Sequence, residues 1–109
     1  MDYWEEWQEE GRRAERLAAR LMALLSGLSL IPEQERRTLE ELPGVIKQAG
    51  TWVAISQCVY LFGLYGDYLL ADDLMAEIAW AYDQTEGDDR EEYEDLLKSQ
   101  EAIRARTAA

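Results

Sequence analysis

Ala14, Leu17, Ala18, Leu21, Leu24, Leu25 and Leu28 recur at three- and four-residue steps, the period of a helix with one apolar face. They predict a first helix from Asp2 to Ser26, with Asp2 as N-cap and Glu5 in the capping-box position, ended by Gly27 between Ser26 and Ser29. Glycine inside a helix costs about 1 kcal/mol against alanine. Gly11 therefore sets residues 1–11 apart as a separate or frayed aromatic and acidic turn. A second helix starts near Pro32, a residue suited to a first turn, and is wet except at Leu39 and Leu42. Pro43 either kinks this helix or opens a new one, because it has no N–H to donate to the preceding turn.

The most apolar stretch, Pro43 to Gly66, organises the rest. Val45, Ile46 and Ala49 form a short amphipathic turn that stops at Gly50, and Thr51 is placed as the cap of the next helix. There Trp52, Ile55, Val59 and Phe62 share one face, while Val53, Tyr60, Leu61 and Leu64 fill much of the remainder. A helix apolar on most of its circumference is expected to be surrounded by others. Asp67 then caps a fourth helix, from Tyr68 to about Asp83. Its inward stripe is Leu70, Leu74, Ile78 and Ala81, with Asp72, Asp73 and Glu77 facing away. Asp88 or Asp89 caps a fifth, with Tyr93, Leu96, Leu97 and Ile103 inward. The expected fold is all-α, one domain over residues 1–109, a compact bundle of about five helices around a central apolar helix.

Charge alters this picture more than composition does. The 109 residues carry 11 Lys and Arg against 23 Asp and Glu, a formal net charge of −12. Such a chain is repelled at long range by nucleic acid and by anionic membranes, so RNA contact needs a local basic patch or a basic partner. Membrane association is not expected: Lys47, Gln48, Ser56 and Gln57 interrupt the apolar run, and the acidic start resembles no targeting signal. A lone cysteine, Cys58, precludes an internal disulfide and fits a reducing, cytoplasmic setting.

Candidate chemistry is sparse. With no histidine, the commonest general base and metal ligand is missing. No serine sits in a Gly-x-Ser-x-Gly or Ser-x-x-Lys setting, and no phosphate-cradling glycine loop occurs. No enzyme, cofactor or metal is expected. Asp83, Thr85, Asp89 and Glu94 take first, third, seventh and twelfth positions of a calcium loop, but Gly87 falls fifth rather than sixth, so the stretch reads as an acidic helix start.

The arginines are scarce and grouped. Arg12, Arg16 and Arg20 lie four apart as a ridge with Arg13 beside it, and Arg36 and Arg37 form a second pair. They are either a solvated face bridged to Glu9, Glu10 and Glu15 or a phosphate-tracking stripe. Trp52 and Trp80 sit at core-like positions, whereas Tyr3, Trp4 and Trp7 stand among glutamates. Those three either staple the end of the domain or anchor a partner, as interface tryptophans and tyrosines do.

The run LPGVIKQAG, Leu42 to Gly50, followed by TWVAISQCVYLFG, resembles the small all-helical subunit of type III-B (Cmr) CRISPR effector complexes. The later EEYEDLLKSQEAI resembles that family's last helix, and the likeness extends from Arg36 to Ile103. The resemblance implies a non-catalytic subunit in antiviral defence. It would line a guide-RNA filament, contact the protein subunits of that ribonucleoprotein, self-associate along the filament and touch guide and target RNA through basic residues. Leu42, Pro43, Ile46 and Gly50 would then be structural, with Lys47 the basic residue of the exposed turn and Arg36 and Arg37 just upstream. The competing reading is an acidic helical interaction protein, such as a phage-encoded inhibitor or nucleic-acid mimic, whose acid blocks at Asp2–Glu10 and Glu86–Asp95 occupy a basic groove.

Overall fold

The computed structural model describes residues 3–83 and 85–108, and places them in five helices: α1 Tyr3–Leu25, α2 Glu33–Ala49, α3 Thr51–Tyr65, α4 Asp72–Ala81 and α5 Gly87–Ala108. The expected cap Asp2 lies outside the described residues. The all-α bundle around an apolar helix is as the periodicity requires. Helix α3 packs against α5, α1 and α2, and α4 lies on α1. Ala54, Ile55, Cys58, Val59, Leu61 and Phe62 of α3 are buried among Leu17, Leu21 and Leu25 of α1, Leu42 of α2, Leu74 and Ile78 of α4, and Leu96 of α5. Burying one such aliphatic side chain contributes roughly 1.5–3 kcal/mol.

Four local expectations give way. Helix α1 runs unbroken through Gly11, with every residue from Tyr3 to Arg12 exposed. Its 23 residues span about 35 Å at the α-helical rise, and the molecule measures 49 × 29 × 24 Å. Pro43 does not open a new helix, the second of the two alternatives its missing N–H allowed: α2 continues past it as one helix. Leu42 is buried just before it and Val45 and Ile46 pack on the core just after it, so tertiary contacts hold both sides of the lost hydrogen bond. Thr51 is the first residue of α3 rather than its cap, a position taken by Gly50.

The fourth is the start of α4, which begins at Asp72 instead of Tyr68. The intervening stretch is held by Gln100, buried in α5. Its Oε1 accepts from the Leu70 N–H at 2.8 Å and its Nε2 donates to the Tyr68 carbonyl at 3.2 Å. The Tyr68 carbonyl, which would accept the first backbone hydrogen bond of a helix starting there, is taken by Gln100 instead, and the ladder opens at Ala71, whose carbonyl accepts from Met75 at 3.0 Å.

Gly50 makes the turn between α2 and α3. Its N–H donates to the Ile46 carbonyl at 3.1 Å, closing α2, while its φ of 98° and ψ of 163° lie in a region that essentially only glycine occupies.

The central helix is not enclosed all round. Trp52, Val53, Tyr60 and Leu64 are exposed, as is Leu97 of α5, all read from the sequence as inward or space-filling. With no helix packed over it, this flank of α3 is left open to solvent.

Candidate functional site

The arginine ridge faces α4 as much as solvent. Arg13 places its Nε 2.6 Å from Glu77 Oε2 and its guanidinium 4.0 Å from the centre of the Trp80 ring. Arg20 grips Asp73 with two hydrogen bonds, at 2.8 and 3.3 Å. Asp73 and Glu77 were expected to face away from the bundle; they turn instead toward α1. Hydrogen bonding to Arg20 holds the Asp73 carboxyl below its usual range and raises the Arg20 guanidinium in turn. Arg12 and Arg16 both reach back to Glu9, at 3.0 and 3.5 Å, and the Arg12 hydrogen bond is the main cause of the lowered Glu9 carboxyl. Each member of the ridge therefore has an acidic partner.

The remaining cations are dispersed along α2. Arg36 caps the end of α1, donating from Nη1 to the Ser26 carbonyl at 3.3 Å and from Nη2 to the Leu28 carbonyl. Arg37 pairs with Glu33 one turn earlier at 3.2 Å, and Lys47 is exposed near the far end of the helix. Arg13, Arg16 and Arg20 share a depression of about 260 Å³ with Glu77; Arg36, Arg37 and Lys47 take no part in it.

The aromatic residues make the more distinctive surface. Tyr3, Trp4 and Trp7 are 84, 60 and 57% exposed, and Trp4 stacks on Trp7 with ring centres 5.2 Å apart. Trp52, read from its spacing as core, is 50% exposed, and its ring centre lies 5.7 Å from that of half-buried Trp80. Trp7 of α1 and Trp52 of α3 both line a cleft of about 330 Å³, together with Glu10, Gly11, Arg12 and Glu15. All four tryptophans of the chain thus gather at one end of the α1, α3 and α4 assembly. No local pattern in the sequence announces this gathering, because Trp7 and Trp52 stand on separate helices that meet only in the fold.

A polar knot ties α3 to α5 nearby. Ser56 Oγ donates to Glu92 Oε2 at 2.7 Å, and the same oxygen accepts from the Tyr82 hydroxyl, so one carboxylate serves two donors. Tyr82 is buried and stacks on Tyr93 with centres 5.2 Å apart. Burial, reinforced by Glu92, pushes its hydroxyl well above the normal phenol value and keeps it a donor. Sequence reading treated Ser56 only as an interruption of the apolar run, because its acceptor lies 36 residues away. Cys58 is enclosed close by in α3, and burial pushes its thiol up to about 12, a protonated and unreactive state at neutral pH.

Among the described residues no group of three His, Cys, Asp or Glu side chains is placed to hold a metal ion, and no helix is long and apolar enough to cross a membrane. Compared with models of protein families, with curated proteins and with solved structures, the chain matches none.

Proposed function

We propose that this chain is a non-catalytic small subunit of a CRISPR RNA-guided effector complex, lining the filament and supporting guide and target RNA binding in antiviral defence. The observation that carries the reading is the elbow at Gly50. The stretch Leu42-Pro43-x-x-Ile46-x-x-x-Gly50, on which the resemblance to the type III-B small subunit rests, forms the end of one helix, a glycine-dependent turn and the entry to a buried helix. Lys47 stands exposed beside that elbow. The exposed aromatic end at Tyr3, Trp4 and Trp7 supplies a surface for protein subunits, since tryptophan and tyrosine dominate interface energetics.

RNA contact in this reading falls chiefly to Lys47, Arg16 and Arg37, the more exposed cations, with Arg12, Arg13, Arg20 and Arg36 contributing where phosphate competes with their present partners. Reconstitution with the backbone subunits and guide RNA of a type III-B complex tests it. Salt-sensitive incorporation, lost when Arg12, Arg16 and Arg20 are changed to Glu, supports the assignment. Failure to incorporate at low salt overturns it.

One observation favours a second reading, an acidic helical interaction protein that blocks a basic groove. Arg13 and Arg20 are already neutralised by Glu77 and Asp73, while Glu86, just before α5, and Asp88, Asp89, Glu91 and Asp95 in its first half are exposed. Stoichiometric binding to a single basic protein without RNA, abolished by neutralising those acids, distinguishes this reading from the first.

A further inference from the structure

We infer that the cleft between Trp7 and Trp52 is a receptor for an arginine side chain presented by a partner protein. The inference rests on the reading of the chain as an interaction subunit and names the chemistry of what it engages.

Three independent features converge on the cleft. Its two aromatic walls are braced from behind, Trp7 by the stacked ring of Trp4 and Trp52 by Trp80. Aromatic rings held this way offer π faces with little ordering cost on binding. Glu10 and Glu15 also line the cleft, and neither carboxylate has a hydrogen-bond or ion-pair partner among the described residues. Arg12 is present too, but its guanidinium is already bonded to Glu9 through Nη2 at 3.0 Å and Nε at 3.3 Å.

The third feature is Gly11. A methyl group there would meet no side chain and no other element within 4 Å, so packing within the chain does not require glycine, and the surrounding helix is unbroken. Glycine nonetheless stands in the cleft lining, at a helix-interior position where alanine would be better by about 1 kcal/mol. Close approach of a foreign group to the α1 backbone explains the choice.

The molecule already contains the same recognition chemistry beside the cleft, on the same helix. Arg13 lies over Trp80 and is paired to Glu77, a guanidinium held between an aromatic face and a carboxylate. The Trp7–Trp52 cleft offers aromatic faces and two carboxylates to a guanidinium from outside. The overall charge of −12 and the exposed Glu5, Glu6, Glu9 and Glu10 attract a basic partner to this end. Tyr3, Trp4 and Val53 give the flanking apolar surface that such a partner's segment would cover.

The full chain, followed by NMR through its indole N–H resonances, is titrated with the peptide acetyl-Gly-Arg-Gly-amide and with its citrulline counterpart, which keeps the shape and removes the charge. The Trp7 and Trp52 signals are expected to move with the arginine peptide, with roughly tenfold weaker response to citrulline, and the Glu10→Gln/Glu15→Gln variant to lose that preference. Equal responses to both peptides, or no movement at Trp7 and Trp52, overturn the inference. Effector incorporation, measured separately, can succeed or fail independently of this result.

Discussion

The two halves of α1 obey opposite rules. From Ala14 to Leu25 the helix buries Ala14, Leu17, Ala18, Leu21 and Leu25 against the bundle. From Tyr3 to Arg12 the same helix buries nothing, yet it carries Tyr3, Trp4 and Trp7, apolar groups that a solvated helix does not need. The back half is explained by the stability of the chain alone. The front half is not, and large exposed aromatics clustered at one end are the usual mark of a surface made to be covered. Arg13 stands at the boundary, where its pairing to Glu77 and Trp80 fastens the overhanging helix to α4.

The largest effect that separates the halves is a core truncation. Leu21→Ala, at a fully buried position, is expected to cost about 2–5 kcal/mol in denaturant unfolding, whereas Trp4→Ala is expected to cost less than about 1 kcal/mol. Comparable losses would erase the distinction between the halves. The buried core and the surface ion pairs also answer to opposite ends of the pH scale. The Cys58 thiol, in the core beneath α1, titrates near 12 when folded against 9.0 in an open chain. Its contribution is complete below pH 9.0 and is lost as pH rises toward about 12. In that window the loss approaches about 1.4 kcal/mol per pH unit. Denaturant titrations of the wild type and Cys58→Ala should show a shallower alkaline slope in the variant.

The acid limb belongs to the arginine ridge. Asp73 and Glu9 have carboxyls lowered by Arg20 and by Arg12. Their contribution is present above the ordinary carboxylate value of about 4 and disappears as pH falls through the lowered folded values. Asp73→Asn should flatten the loss of stability below about pH 4 and leave the alkaline limb unchanged, as read by thermal melting across pH. Smaller still is Arg13→Leu. Its ion pair is more than a third exposed, so the expected loss is about 1 kcal/mol, and added salt should reduce the difference between variant and wild type.

Local periodicity made much of this legible. The apolar steps of α1, the glycine stop at residue 50 and the burial of α3 follow from spacing and backbone preference. What escaped the sequence depends on partners far along the chain. Tyr68 to Leu70 have helical composition, but Gln100 takes the Tyr68 carbonyl from 32 residues away. Asp73 and Glu77 look like a solvent face until α4 is laid against arginines 53 and 64 residues earlier. Trp52 has core spacing, yet no helix closes over its flank, and half of it remains in solvent. The cleft it forms with Trp7 joins two segments that no motif links.

Gly11→Ala tests the central claim most directly, because stability and binding should move in opposite directions. Alanine should raise unfolding stability by up to about 1 kcal/mol while weakening the arginine peptide's effect on the Trp7 and Trp52 resonances by roughly tenfold. A variant that gains stability and binds the peptide as well as the wild type would contradict the account of α1 as one helix with a stabilising half and a binding half.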